Sequence, residues 1–146
     1  MKSLIQVVEC AEVKIDGKIN GSIDYGMLLF LGVKRGDGVN QIKDMVDKVV
    51  NLRIFPDEEG KMNLSIEDIR GEILVISQFT LYADVSSGRR PGFSQTGDYG
   101  KAKELYREFV KELDKTVETK VESGEFGSHM KVTLTNDGPI TFMLES

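Results

Sequence analysis

The chain has 146 residues and a mass of 16.3 kDa, which is the size of one domain. Apolar residues at 40% and charged residues at 29% exclude a disordered chain, and no apolar run approaches the roughly 20 residues of a membrane span. The net charge of -5 has the wrong sign for a protein that coats nucleic acid non-specifically. One cysteine and one histidine allow neither an intramolecular disulfide nor a multi-histidine metal site. We therefore expect a single cytoplasmic domain over residues 1–146, in which only a metal site built from carboxylates would be conceivable.

The N-terminal part of the sequence has β character. Residues 4–8 and 11–15 predict two strand segments, and Asp16 and Gly17 are typical of a tight hairpin turn after them. The run 27–33 is apolar at almost every position, so both of its faces should be buried. This run predicts a central strand of the core.

Two amphipathic helices are predicted. In residues 41–52 apolar side chains recur at helical spacing, with Asn40 as the N-cap and Asp44 in the first turn, where the helix dipole favours a carboxylate. A second helix covers residues 98–115. The glycine-rich, polar segment 85–100 that leads into it predicts an irregular loop.

The remaining segments are predicted to be β-strands. Residues 72–82 begin apolar and end polar, and three further strands are expected at 117–123, 130–135 and 140–145. The last two are separated by Asn136-Asp137-Gly138-Pro139, whose residue types favour a hairpin turn.

The segment Ser77-Gln78-Phe79-Thr80 places two hydroxyls and an amide at the end of an apolar strand. Polar groups in such a position need hydrogen-bond partners, so the segment either lines a binding or hydrolytic pocket or satisfies neighbouring backbone groups. A serine or threonine nucleophile also needs a base, and His129 is the only imidazole. A Ser/His/Asp triad is possible by composition, but no G-x-S-x-G elbow supports it.

Two residue pairs allow a functional and a plain interpretation. Arg89 and Arg90 are the only adjacent arginines; guanidinium groups suit phosphate, while a solvated loop is the simpler explanation. Pro139 directly after Gly138 removes a backbone N–H at the start of a strand and makes a cis peptide bond accessible. A rigid Gly-Pro corner with outward carbonyls can line a pocket, whereas the hairpin turn is the ordinary alternative.

Several separated motifs follow one another in a specific order. The three main motifs are Ser77-Gln78-Phe79-Thr80-Leu81-Tyr82, Gly88-Arg89-Arg90-Pro91-Gly92-Phe93 and Asn136-Asp137-Gly138-Pro139-Ile140-Thr141. Asn51-Leu52-Arg53-Ile54-Phe55 and Gly60-Lys61-Met62-Asn63-Leu64-Ser65 precede the first of them, and Phe126-Gly127 lies before the third. In this order the chain resembles the D-aminoacyl-tRNA deacylase family over its whole length. Two positions depart from the family pattern. Ile140 stands where valine is common, and Val7 follows Gln6 where the family often has arginine.

The resemblance implies an α+β fold, with a mainly antiparallel, barrel-like sheet and two main helices, that works as a homodimer. Each active site would combine Ser77, Gln78, Phe79 and Thr80 of one subunit with Gly138-Pro139 of the other. The substrate would be D-aminoacyl-tRNA, hydrolysed to free amino acid and tRNA, and glycyl-tRNA would also be accepted. No metal or other cofactor, no DNA partner and no membrane is implied.

The resemblance leaves the chemistry open between Thr80 as nucleophile and a backbone-built site in which the ribose 2′-hydroxyl helps to activate water. We favour the second, because no base stands near Thr80 in the sequence. A cis Gly138-Pro139 bond would then aim carbonyls into the partner's pocket and exclude L side chains. Arg89 and Arg90 would contact tRNA phosphates or the terminal CCA. The alternatives are a small-ester hydrolase using Thr80 or Ser77, and a non-catalytic RNA-binding module.

Overall fold

Strand β1 (Lys2–Ile15) is the element around which the sheet is built. In the computed structural model, which describes all 146 residues, its first part pairs antiparallel with β3 (Gly26–Gly32) and its second part with β2 (Lys18–Ile23). Strand β8 (Lys131–Glu145) runs antiparallel beside nearly its whole length. Two strand segments were predicted here, and the structure has one strand that changes partner near Glu9.

The rest of the sheet is attached to β3. Strand β6 (Glu72–Ser77) pairs with it in parallel, and β7 (Val121–Ser123) pairs with β6 in parallel, which gives the order β2-β1-β3-β6-β7. Strands β4 (Phe55–Pro56) and β5 (Met62–Leu64) form a separate two-stranded ribbon. The sheet is nearly closed, barrel-like and mainly antiparallel, with two helices, so the predicted fold class is confirmed.

The central strands have two buried faces because they separate two cores. In β3, Met27, Leu29 and Leu31 point to the helices, while Leu28 points to a second core inside the curved sheet. This explains the continuous apolar run, since a strand covered on both faces has no polar side. The same division applies to β1, where Ile5 and Val7 belong to the first core and Val8, Ala11 and Val13 belong to the second.

The two helices cover one face of the sheet. Helix α1 (Val39–Val50) begins after Gly38, whose backbone N–H donates a hydrogen bond to Gln41 Oε1 at 3.0 Å. Helix α2 (Tyr99–Thr116) begins after Asp98, which accepts hydrogen bonds from two amides of the first turn. The buried side chains of the helices are Ile42, Met45, Val46, Val49, Ala102, Leu105, Tyr106, Phe109 and Leu113.

Both helices lie where their periodicity predicts them, but the start of α1 was wrong. Gly38 is the N-cap instead of Asn40, and Asp44 lies beyond the first turn, where it pairs with Lys48 at 2.9 Å. The helix starts earlier because the Gln41 side chain can satisfy an amide at its N-terminus, which residue preferences alone do not reveal. Neither helix is both long and apolar enough to cross a membrane.

Two strand predictions were also wrong. The predicted strand 72–82 ends at Ser77, and the chain continues as a turn of 3-10 helix over Phe79–Tyr82. The predicted hairpin at residues 136–139 does not exist, because the segments on either side of it pair with β1 and not with each other. Both segments belong to β8, and the corner between them is a bulge opposite β1.

Tyr106 connects helix α2 to the sheet through its buried hydroxyl. The hydroxyl oxygen lies 2.9 Å from the carbonyl of Val75 and 3.0 Å from that of Gly124, and burial raises the pKa of this phenol well above its usual value. We expect Tyr106→Phe to lower the free energy of unfolding by about 1–3 kcal/mol, because the buried carbonyls of Val75 and Gly124 each lose a donor and that of Val75 keeps the Gly124 N–H. Chemical denaturation measures this loss. The matched control Tyr99→Phe removes the hydroxyl of an exposed tyrosine and should change stability by less than about 0.5 kcal/mol.

Candidate active site

The segment Ser77–Thr80 leaves the sheet as soon as the buried part of β6 ends. Gln78 has an extended backbone (φ -143°, ψ 84°) and its N–H donates to the carbonyl of Leu31 at 2.8 Å, which anchors the segment to β3. The 3-10 turn that follows begins at Phe79, and the Phe79 and Thr80 amides donate no hydrogen bond within the chain. Free amides are the expected result at the start of a short helical turn. They are available to a ligand oxygen.

A cavity of about 550 Å³ opens beside this segment. Its volume falls in the range of small-molecule sites. The apolar part of its lining includes Phe30, Ile76, Phe79, Tyr99, Ala102, Phe126, Met130 and Val132. The polar part includes Ser77, Gln78, Thr96, Ser128 and His129. The cavity is therefore mainly apolar, and Ser77 and Gln78 at the end of β6 are among its polar lining residues.

Neither hydroxyl of the segment is paired with a base. His129 lines the same cavity as Ser77, but no hydrogen bond joins its imidazole to Ser77 or to Thr80. The Thr80 hydroxyl is exposed and accepts a hydrogen bond from the Gln78 side-chain amide. No group of three histidine, cysteine or acidic side chains is arranged to hold a metal ion. The arrangement supports chemistry by backbone groups and a bound water more than a serine or threonine nucleophile.

The Gly138-Pro139 corner is a turn within β8 that is closed by a hydrogen bond of its own. The Asn136 Oδ1 atom accepts the Ile140 N–H at 3.0 Å, which closes the corner, and the peptide bond between Gly138 and Pro139 is cis, as predicted. Gly138 has φ +127°, a backbone conformation that L residues with a side chain rarely adopt. Below the corner, Gln6 donates to the Thr141 hydroxyl at 3.2 Å. The corner is exposed at its tip and bonded at its base.

The corner does not reach the cavity of its own chain. Gly138 and Pro139 are exposed and are absent from the cavity lining. The four residues 137–140 bulge opposite Val7, whose side chain is buried in the core under the helices. The departure from the family pattern at position 7 therefore lies directly opposite the corner. The Val7 side chain has no polar group that could form a hydrogen bond with the corner.

The two arginines lie on a small closed loop. Asp84 and Gly92 exchange two backbone hydrogen bonds of 2.8 Å, and we call the segment between them, Asp84–Gly92, the arginine loop. Hydrogen bonds from the Ser86 hydroxyl, at 2.6 Å, and the Ser86 amide hold the pKa of Asp84 below its usual range. Arg89 and Arg90 are exposed in this loop and form no ion pair. They do not line the cavity.

Several cavity residues were not predicted to be functional. Tyr99 was given no role and His129 only that of a possible base in a Ser/His/Asp triad, yet both line the cavity. Tyr99 packs edge to face on Phe126, with ring centroids 5.4 Å apart. The only signal for this part of the cavity in the sequence was the Phe126-Gly127 motif before Met130. Tyr99 and His129 belong to no chemical pattern in the sequence, and only the folded chain brings them to the cavity.

The chain is similar to known proteins over nearly its whole length. A sequence model described as D-Tyr-tRNA(Tyr) deacylase matches residues 4–145. The chain is 51% identical to a D-aminoacyl-tRNA deacylase of Thermosipho africanus and 49% identical to one of Aquifex aeolicus, covering all of this chain and 97% and 98% of those proteins.

Two solved structures are also similar. One is titled c-Myc DNA Unwinding Element Binding Protein; it has a TM-score of 0.95 and 38% identity, with 100% of this chain and 99% of that chain covered. The other is titled as a probable eukaryotic D-amino acid tRNA deacylase; it has a TM-score of 0.83 at 18% identity over 99% of this chain and 98% of that chain, which shows a shared fold.

Proposed function

The chain belongs to the D-Tyr-tRNA(Tyr) deacylase family and is a D-aminoacyl-tRNA deacylase, a hydrolase, and from this premise we propose which of its residues perform the reaction. The reaction cleaves the ester between a D-amino acid and the terminal ribose of tRNA. Water adds to the acyl carbon, the bond from that carbon to the ribose oxygen breaks, and the ribose oxygen takes a proton. The observation that carries the proposal is the unpaired backbone amide of Phe79, a residue that lines the cavity, followed by the unpaired amide of Thr80.

The Phe79 N–H is the proposed donor to the ester carbonyl oxygen. This oxygen gains negative charge when water adds, and a fixed backbone donor stabilises that charge without reorganisation. The aminoacyl ester is already activated, so orientation and polarisation are sufficient and no protein base is required. The ribose 2′-hydroxyl would help to activate the water. The absence of any hydrogen bond between His129 and the Ser77 or Thr80 hydroxyl supports this assignment.

Selection against L-amino acids is assigned to the Gly138-Pro139 corner of a second subunit. Within one chain Gly138 and Pro139 are exposed and do not line the cavity, so the corner is free to enter the cavity of a partner. Its carbonyls would accept the α-ammonium group of the substrate and occupy the space of an L side chain. Glycine has no side chain to exclude, so glycyl-tRNA should also be hydrolysed. The protein would act as a homodimer in the cytoplasm.

The direct test is incubation with D-tyrosyl-tRNA and L-tyrosyl-tRNA at matched concentration, with release of free tyrosine followed over time. Rapid release from the D ester alone supports the proposal. Release from both esters would favour the small-ester hydrolase, and release from neither would favour the RNA-binding module. Glycyl-tRNA in the same assay tests the second substrate.

Removal of the Thr80 hydroxyl separates the two mechanisms. We expect Thr80→Ala to keep kcat within about tenfold of the wild-type value, because the hydroxyl is bonded to Gln78 and not to a base. A covalent nucleophile would instead lose several orders of magnitude. Single-turnover hydrolysis of D-tyrosyl-tRNA measures the rate. An acyl-enzyme trapped on Thr80 would contradict the backbone-built site.

A further inference from the structure

A second basic segment lies beside the base of the arginine loop. Lys34 and Arg35 follow β3, and their backbone pairs with the segment that follows the arginine loop. Lys34 forms a β-bridge with Thr96, and the Arg35 N–H donates to the Gln95 carbonyl at 3.0 Å. We call Lys34, Arg35, Arg89 and Arg90 the basic ridge. All four side chains belong to exposed residues.

The basic ridge carries uncompensated positive charge. None of its four side chains forms an ion pair, although eight other cationic groups of the protein do. The nearby carboxylates are occupied by other donors. Asp37 accepts the Met1 ammonium at 3.2 Å and the Lys34 backbone N–H at 2.7 Å, and Asp84 accepts Ser86. In a chain of net charge -5, four unpaired cations on adjoining loops create a local positive potential that attracts anions.

An aromatic pair links the basic ridge to the cavity. Phe93 follows the arginine loop directly and packs on Phe79 with ring centroids 5.0 Å apart. Phe79 is 56% exposed and Phe93 39% exposed, so part of each ring faces solvent. The Thr96 hydroxyl donates to the Phe93 carbonyl at 2.7 Å and holds this residue in place. Exposed aromatic rings next to cations are the arrangement on which unpaired bases stack.

We propose that the basic ridge and the Phe93 ring bind the unpaired 3′ strand of tRNA just before its terminal nucleotide. The ridge would contact the phosphates and Phe93 would stack on a base, while the terminal aminoacyl-ribose reaches the Ser77–Thr80 segment. This inference rests on the proposed function, because it assumes that the ester enters the cavity beside Phe79. It adds Lys34, Arg35 and Phe93 as residues that distinguish tRNA from a smaller ester.

The test compares two substrates in one assay. D-tyrosyl-tRNA carries the 3′ strand, whereas the 3′-ester of D-tyrosine with adenosine carries no phosphate. For the double variant Lys34→Ala/Arg35→Ala we expect KM for D-tyrosyl-tRNA to rise about tenfold at ~0.1 M salt. The slope of log KM against log salt concentration should change by about 1.4 if each of the two cations contacts one phosphate. The ratio of kcat/KM for the two substrates should fall by about the same tenfold. Phe93→Leu should raise KM for the tRNA substrate roughly fivefold or more.

The control removes the same charge elsewhere. Lys18 lies at the hairpin turn after β1, and Lys111 lies about 18 Å along α2 from its start; both are exposed and form no ion pair. Lys18→Ala/Lys111→Ala should leave the substrate ratio at the wild-type value. The inference is overturned if both double variants show the same KM and salt slope for D-tyrosyl-tRNA. If the wild-type protein hydrolyses neither ester, the proposed function fails instead.

Discussion

Phe79→Pro is expected to lower kcat for D-aminoacyl-tRNA by about 10²–10³-fold, the usual cost of losing one donor to a developing oxyanion. Proline removes the backbone N–H that we assign to the ester carbonyl. The substitution suits the position, because Phe79 begins a helical turn, its amide has no partner in the chain, and the preceding Gln78 is extended. Single-turnover kinetics with D-tyrosyl-tRNA measure the loss.

The matched variant Phe79→Ala keeps the N–H and loses the ring. It should raise KM, because the ring packs on Phe93, but it should keep most of kcat. Equal values of kcat for Phe79→Pro and Phe79→Ala would show that the amide is not the oxyanion donor. Circular dichroism and thermal unfolding establish that both variants are folded before their rates are compared.

Gly138→Ala is the second substitution for which we expect a large effect, a loss of about 100-fold in D-aminoacyl-tRNA hydrolysis. A Cβ at this position would lie 2.5 Å from Ile140 Cγ1 and 2.7 Å from Ile140 N, and the φ of +127° disfavours any side chain. A backbone nitrogen cannot move aside cheaply, so the corner itself must shift. Gly17→Ala is the control, since Gly17 also has a positive φ but has open space around it. This control should keep full activity.

Mixed dimers show in which subunit each residue acts. When equal amounts of Gly138→Ala and Phe79→Pro subunits are denatured and refolded together, half of the dimers contain one subunit of each kind. In such a mixed dimer one of the two sites combines an intact Phe79 segment with an intact Gly138-Pro139 corner. About one quarter of wild-type activity should return. Failure to recover activity, with mixed dimers demonstrated by native mass spectrometry, would place the corner and the Phe79 segment in the same subunit's site.

Local periodicity was sufficient to predict the elements that depend on neighbouring residues. Helix α2 was placed within one residue at each end, since its apolar side chains repeat at helical spacing over 18 residues. The run at β3 was correctly predicted to be buried on both faces, because a strand without polar positions has no side for solvent. The residue types of the Ser77–Thr80 segment and of the Gly138-Pro139 corner were also visible, as motifs of a family.

The pairing of strands and the shape of the cavity were decided only by the tertiary structure. Asn136–Pro139 has the composition of a hairpin turn, yet both flanking segments pair with β1, because β1 is long enough to bind them in succession. The cavity collects Phe30, Ser77, Tyr99 and His129 from four separate parts of the chain. Local propensity acts over three or four residues, whereas strand partners and cavity walls are selected by the burial of apolar surface between distant segments. The free energy of this burial is gained only when the whole sheet has closed.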